Sequence, residues 1–144
     1  MPKDKKVGFI LESNTRIAKL SFIKVFKKLK VDLTPEQWVI LDNLNQEDGL
    51  TQTELAKKSF KNTPTVSRII DVLVKKALAE RQVDSEDRRR QLVYLTKKGK
   101  AVVKKCAKEI SALRKLSWEG LSEKDYDEFL RITKTIFANF QKYD

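Results

Sequence analysis

Apolar residues recur every three or four positions along most of this chain, which is the spacing of amphipathic helices. Between the fourth and fifth such segments, residues 78–83 and 91–96 alternate apolar with polar positions, as half-buried strands do. The pattern predicts a mainly α fold with a small β-hairpin (α+β), in the order helix, helix, helix–turn–helix, hairpin, helix, helix. The predicted helices are 7–30, 34–44, 51–59, 63–76, 100–116 and 122–143.

Capping signals support the predicted helix starts. Thr34-Pro35-Glu36-Gln37 and Thr51-Gln52-Thr53-Glu54 place a hydroxyl at the N-cap and a Gln or Glu three positions later, which is a capping box. Thr63-Pro64 combines a capping hydroxyl with a proline at the first helical position. Residues 60–62 are then a three-residue turn between two short helices.

The first and last helices carry more apolar surface than one narrow stripe. In the first, Phe9, Ile10 and Ile17 widen a face that already holds Leu11 and Phe22. A single subunit does not easily bury such helices, and a second copy of the chain would cover them. Trp38 and Tyr94 fit helical and strand spacing, so we expect them in the core and not in a ligand pocket.

Charge is concentrated in the middle of the chain. The 144 residues carry a net charge of +11. Residues 51–105 hold 15 Lys and Arg against 6 Asp and Glu, whereas the remaining 89 positions hold 16 against 14. A basic segment between nearly neutral ends predicts one face that binds a polyanion.

The composition argues against most catalytic chemistry. Histidine is absent, and no glycine-rich nucleotide-binding motif occurs. Paired carboxylates remain possible, but nothing in the sequence brings two together, so we expect no enzyme activity, metal or cofactor. Cys106 lies on an apolar stripe, where a thiol is normally inert. No segment has the length of a membrane span or the pattern of a secretion signal, which predicts a cytoplasmic protein with no membrane partner.

Two short helices followed by a hairpin are the parts of a winged helix-turn-helix. The second helix of such a pair enters the major groove of double-stranded DNA with its N-terminal residues at the base edges. The predicted major-groove residues are Thr63, Pro64, Thr65, Ser67 and Arg68. Arg88, Arg89 and Arg90 fall at the hairpin tip, where a guanidinium can enter a narrow minor groove. Taken alone, such a charge run is more often a solvated loop.

Several motifs in order resemble the MarR family of transcriptional regulators. Asp87-Arg88-Arg89, followed by the segment 91–99 (QLVYLTKKG), is similar to that family's wing signature. Residues 51–56 and 65–73 resemble its two helix-turn-helix helices. The likeness is strong over residues 34–105, and it covers the flanking helices in arrangement only.

The resemblance implies a homodimer that binds a pseudo-palindromic operator, more often as a repressor than as an activator. It implies one domain over residues 1–144, with a winged helix-turn-helix lobe at 34–99 and dimerisation helices at 7–30 and 100–144. By position, Arg89 is the minor-groove arginine, Asp87 orients it, and Arg88 and Arg90 meet phosphate or solvent. Phosphate contacts are expected from Thr51, Lys57, Lys58 and Lys61. Pro64 departs from the family pattern.

Many members of that family release DNA when a small, often aromatic and anionic, ligand binds. Others sense oxidants through a cysteine near the N-terminus, where this chain has none. Two further readings stay open at this stage. One is a winged-helix module that binds only proteins, and the other is a sequence-tolerant DNA-binding protein without a ligand response.

Overall fold

The computed structural model describes residues 6–143, and these form six helices and one hairpin. The chain divides into two compact units, one ending at Ser111 and the other starting at Ala112. The helices are α1 (Val7–Lys28), α2 (Pro35–Gln46), α3 (Gln52–Ser59), α4 (Thr63–Lys75), α5 (Lys97–Ser117) and α6 (Glu123–Phe140), and the strands are β1 (Ala79–Val83) and β2 (Gln91–Leu95). This confirms the predicted fold class and element order. Helix α2 ends two residues later than the sequence pattern predicted, and α5 begins three residues earlier.

Side-chain caps set most of the helix starts. Thr34, Thr51 and Ser122 each accept a hydrogen bond from the backbone N–H three residues later, and the side chain at that later position accepts one in return. The capping boxes expected at Thr34 and Thr51 are therefore present. Each box satisfies two backbone donors that the helix itself leaves unpaired.

The start of α4 differs from the prediction. Asn62, not Thr63, is the N-cap, and its Oδ1 accepts the Thr65 N–H at 2.8 Å. Thr63 and Pro64 are the first two helical residues, where the missing N–H of proline costs nothing. The sequence allowed both choices because Asn and Thr are both good caps.

The core of the first unit joins the C-terminal end of α1 and the first two thirds of α5 to the helix-turn-helix and the hairpin. Its largest fully buried side chains include Trp38, Ile40, Leu55, Ile70 and Val93. Trp38 is 2% exposed and lies beside Phe26, with ring centroids 6.0 Å apart. The expectation of a core tryptophan is confirmed. Tyr94 is half-buried, and its ring lies close against Gly49.

The hairpin is an antiparallel pair joined by a seven-residue loop. Ala79 pairs with Leu95 at one end and Val83 with Gln91 at the other. An isolated bridge from Leu50 to Val93 attaches β2 to the segment before α3. The hairpin is thereby held on the helix-turn-helix, and its loop, residues 84–90, extends beyond the last strand pair.

Gly99 allows α5 to start against the hairpin. A Cβ at this position would overlap the carbonyl oxygen of Leu78. Nearby, the Thr96 hydroxyl donates to the Ala77 carbonyl at 2.6 Å and accepts the Gly99 N–H at 2.9 Å. This junction sets the direction in which the chain leaves the wing.

The second unit consists of the end of α5 and α6. Trp118 contacts Tyr126 and Phe129 edge to face, with centroids 5.4 and 6.1 Å apart. No described residue of α6 is buried, and Phe137 and Phe140 are 65% and 71% exposed. Over residues 6–143, no helix is long and apolar enough to cross a membrane.

Candidate nucleic-acid interface

A groove of about 610 Å³ separates the start of α3 from the hairpin loop. Gln52 and Thr53 begin α3, so their N–H groups have no acceptor within the helix, and they carry the positive end of its dipole. The opposite wall carries three guanidinium groups. Such a groove suits an anion, because donors and positive charge face it from both sides. Its lining residues are Thr51, Gln52, Thr53, Arg88, Arg89, Arg90 and Gln91.

The pair Asp87 and Arg89 lies at the tip of the hairpin. Arg89 Nε is 3.1 Å from Asp87 Oδ1 and Arg89 Nη2 is 3.3 Å from Oδ2, so the guanidinium is held by both oxygens. The Arg89 backbone N–H also donates to Oδ1 at 3.1 Å. These contacts, the guanidinium first, lower the pKa of Asp87 below its ordinary value. The Arg89 side chain is still 91% exposed, so the carboxylate restrains it without covering it.

The other loop residues close the hairpin tip. The Asp84 N–H donates to the Arg90 carbonyl at 2.9 Å, and Asp84 Oδ1 accepts the Glu86 N–H at 2.9 Å. Arg90 Nε lies 3.9 Å from Asp84 Oδ2, while the side chain of Arg88 is exposed. The loop therefore has defined turn chemistry, and its three arginines are not equivalent: Asp87 holds Arg89 and Asp84 lies beside Arg90.

The first turns of α4 present the predicted base-reading residues. Thr63, Pro64 and Arg68 are exposed, whereas Thr65 and Ser67 are half-buried. Arg68 Nη2 lies 3.5 Å from the Thr65 hydroxyl. The face therefore offers hydroxyls, one guanidinium and the N-terminal end of the helix dipole, which together suit a groove of DNA.

Arg81 has a positioning role that was not predicted from the sequence. It lies on β1, and its Nη2 is 2.7 Å from Asp71 Oδ1 on α4, 3.2 Å from Gln52 Oε1 on α3 and 3.4 Å from the Ser67 carbonyl. One guanidinium thus ties the wing to both helices of the helix-turn-helix. The only sequence signal was an arginine in an alternating strand, since its partners lie 10 to 29 residues away in the chain.

The predicted phosphate contacts occupy different places. Thr51 caps α3 at the edge of the groove, and Lys57 is exposed in the last turn of that helix. Lys58 Nζ is 3.3 Å from Glu47 Oε2, so a carboxylate already accompanies it. Lys61 is half-buried and lines a different groove, between α1 and α2. The structure brings Thr51 together with the wing arginines and does not bring Lys61 there.

That second groove is mainly apolar and has a volume of about 260 Å³. Ala18, Phe22, Pro35 and Val39 form much of its wall, with Lys19, Glu36 and Lys61 at polar positions and Thr15 completing the lining. Lys19 Nζ lies 2.8 Å from Glu36 Oε1. This contact is the main cause that lowers the pKa of Glu36. The groove combines an apolar wall with two ammonium groups and one carboxylate, and that carboxylate is paired with Lys19.

Cys106 is fully buried, and its burial raises the pKa of the thiol. The described residues contain no group of three or more His, Cys, Asp or Glu side chains arranged to hold a metal ion.

Comparison with known proteins agrees with this geometry. The MarR family model matches residues 31–90, which span the helix-turn-helix and most of the wing. The structure of the Staphylococcus aureus MepR–DNA complex matches with a TM-score of 0.77 and 27% identity over 92% of this chain and 95% of that one. The repressor CouR, bound to a 23-mer DNA duplex, matches with a TM-score of 0.73 and 26% identity over 90% of each chain. A MepR-like protein complexed with pseudoligands matches with a TM-score of 0.74 and 26% identity over 94% of each.

The family model covers the elements that carry the exposed arginines and the hydroxyl-rich start of α4. The solved structures match nearly the whole length, including the flanking helices. Residues 31–90 match the MarR family, and the family model and the solved structures together support a MarR-family winged-helix, DNA-binding transcriptional regulator.

Proposed function

We propose that this protein is a homodimeric repressor that binds a pseudo-palindromic operator, with α4 in the major groove and the hairpin tip in the minor groove. The observation that carries the proposal is the groove between the start of α3 and the three wing arginines. A phosphate backbone lying in this groove would run between the major groove, read by α4, and the minor groove, entered by Arg89.

Affinity and specificity for DNA are expected to come from different groups of this surface. Contacts to phosphate neutralise charge and release counterions, so they supply affinity that falls steeply with salt. The hydroxyls at the start of α4 and Arg68 can hydrogen-bond base edges, which is the source of sequence discrimination. Arg89 adds a preference for narrow, A·T-rich minor grooves, where the negative potential is strongest.

The exposed apolar faces of the two units support the dimer. On α1, Phe9, Ile10 and Ile17 are 70%, 59% and 57% exposed, which is unusual for large apolar side chains of a monomer. On α6, Phe137 and Phe140 are exposed as well. Binding to a pseudo-palindromic operator would require such a dimer to present two copies of α4 about one helical turn of DNA apart, near 10 base pairs.

Selection from a random duplex library tests the DNA-binding proposal. The purified chain is incubated with 30-base-pair random duplexes, bound DNA is amplified over several rounds, and the enriched sequence is assayed by mobility shift. We expect an inverted repeat bound by two subunits per duplex. Enrichment of no sequence despite binding would identify a sequence-tolerant protein, and no salt-sensitive shift would favour a protein-interaction module. Transcription in vitro from a promoter bearing the site should fall when the protein is added.

The groove between α1 and α2 supports a ligand response. Its volume suits a single-ring compound, and Lys61 could pair with a carboxylate at the ring edge, whereas Lys19 is already paired with Glu36. Benzoate and 4-hydroxybenzoate are suitable probes. We expect millimolar benzoate to release the selected duplex in an anisotropy titration, and Lys61→Ala to reduce that release. Equal DNA affinity with and without these probes would remove single-ring aromatic acids as inducers.

A further inference from the structure

Phe60, in the turn between α3 and α4, combines two unfavourable features. Its backbone has φ 55° and ψ 38°, the left-handed conformation that costs an ordinary L-residue roughly 1–2 kcal/mol. Its side chain is 94% exposed, the highest value among the exposed large apolar residues. A strained position occupied by a bulky residue is a reason to look for a role outside stability.

The turn itself does not need this side chain. Helix α3 ends with backbone hydrogen bonds from the Phe60 N–H to the Lys57 carbonyl, at 3.4 Å, and from the Lys61 N–H to the Ala56 carbonyl, at 3.0 Å. Glycine or asparagine would make the same bonds without the steric cost. An exposed ring also gains almost no burial energy within the described chain. The folded subunit therefore gains nothing visible from phenylalanine here.

The surroundings of the ring indicate the kind of partner. Within residues 57–61, three of the five side chains are lysines and none is acidic. Phe60 also lies three residues before Thr63, which is the first residue of the base-reading helix α4. Of the three lysines, Lys57 is exposed, whereas Lys58 lies beside Glu47 and Lys61 lines the groove between α1 and α2. An apolar ring close in the chain to an exposed ammonium group and to the base-reading helix suits a polyanion that has apolar patches of its own. Duplex DNA has both, in its phosphates and in its thymine methyl groups and deoxyribose faces.

We infer that Phe60 is a DNA-contacting residue whose ring packs on a thymine methyl or a deoxyribose of the operator as α4 enters the major groove. The inference rests on the proposed DNA-binding function. The cost of the left-handed backbone is then recovered in the complex, where the ring loses its exposure to water. Phe60 adds an uncharged, apolar contribution to an interface otherwise made of charges and hydroxyls.

The variants Phe60→Gly and Phe60→Asn test this, because both residues accept a positive φ. Thermal denaturation should show stability equal to or above that of the unmodified protein. Anisotropy on the selected duplex should show about tenfold weaker binding, in the range of one lost base contact. The slope of affinity against salt should not change, because no charge is removed. Val74→Ala, which trims an exposed apolar side chain in the last turns of α4, should bind within about twofold of the unmodified protein.

The outcomes separate this inference from the function on which it rests. If the unmodified protein binds the duplex and both Phe60 variants bind equally well, the inference is overturned and the DNA-binding function stands. A changed salt slope in the variants would also overturn it, since a lost charge contact would then explain the loss. If the unmodified protein shows no salt-dependent DNA binding, the proposed function itself fails. Replacing thymine by uracil in the duplex distinguishes the two contacts, because a methyl contact predicts a loss for the unmodified protein and none for Phe60→Gly.

Discussion

Replacing Arg81 by alanine should weaken DNA binding although Arg81 is not among the residues that line the groove. The change removes the 2.7 Å contact with Asp71, the hydrogen bond to Gln52 and the long one to the Ser67 carbonyl. Hydrogen bonds to a charged group contribute about 1.5–3 kcal/mol each when well made, whereas exposed ion pairs contribute about 0–1 kcal/mol. The Arg81 side chain is 24% exposed and that of Asp71 is 56% exposed, so Asp71 is resolvated after the change. We therefore expect a total loss of about 2 kcal/mol in the free energy of unfolding.

The consequence for DNA follows from what Arg81 holds together. With Arg81 removed, β1 keeps its pairing with β2 and its buried Ala79 but loses the hydrogen bonds that Arg81 makes to α3 and α4, so the wing tip is less well placed relative to α4. Part of the contribution of Arg89 to DNA binding should then disappear. In a double-mutant cycle, Arg81→Ala and Arg89→Ala should lose less affinity together than the sum of their separate losses, with a coupling of about 0.5–1.5 kcal/mol.

The assay is fluorescence anisotropy on the selected duplex, with urea unfolding of each variant to show that it remains folded. Arg81→Lys keeps a positive charge near Asp71 but lacks the planar fork, so it should recover stability more fully than DNA affinity. Additive losses from Arg81→Ala and Arg89→Ala, within about 0.5 kcal/mol, would refute the positioning role.

Three further experiments test individual parts of the structure. Asn62→Ala should lower the free energy of unfolding by about 1 kcal/mol, because the Thr65 N–H loses its cap. Thr63→Ala should change that free energy by under about 0.5 kcal/mol. A larger loss for Thr63→Ala than for Asn62→Ala in urea unfolding would contradict the assigned cap. Gly99→Ala should lower the free energy of unfolding by about 3 kcal/mol, because the Cβ of the new alanine would overlap the Leu78 carbonyl oxygen. A thermal midpoint equal to that of the unmodified protein would be inconsistent with this packing. Cys106 should react with a thiol reagent at pH 8 only after the protein is unfolded in urea, because the side chain is buried and the pKa of its thiol is raised. Rapid reaction of the native protein would favour a redox role for this thiol.

Local signals explain why much of the fold was predictable. A capping box and an apolar period act within a few residues, so the starts of α2 and α3 can be read directly. The contact between Asp87 and Arg89 is local too, since the residues are two apart, and the family resemblance indicated it. The role of Arg89 in the minor groove remains a prediction, because the structure gives its geometry without DNA.

The remaining features depend on tertiary structure. The three ties of Arg81 form only when β1 folds against α3 and α4, so an alternating strand pattern cannot reveal them. The family resemblance implies a phosphate contact for Lys61, which stays a prediction, but only the packed fold reveals that this residue lines the groove beside α1 and α2. The positive φ of Phe60 leaves no trace in composition, because the usual glycine or asparagine is absent.

The central claim is that the wing arginine contributes directly to a DNA complex dominated by phosphate contacts. The most direct test is the slope of log affinity against log salt for the unmodified protein and for Arg89→Ala on the same duplex. Arg131→Ala is the matched control, because Arg131 is also exposed and paired with a carboxylate, Glu128, but lies on α6. We predict a slope of roughly −5 to −9 for the unmodified protein. Arg89→Ala should bind clearly more weakly, with a slope less steep by about 0.9, whereas Arg131→Ala should keep the slope and the affinity of the unmodified protein. Equal slopes and affinities for all three proteins would contradict the account.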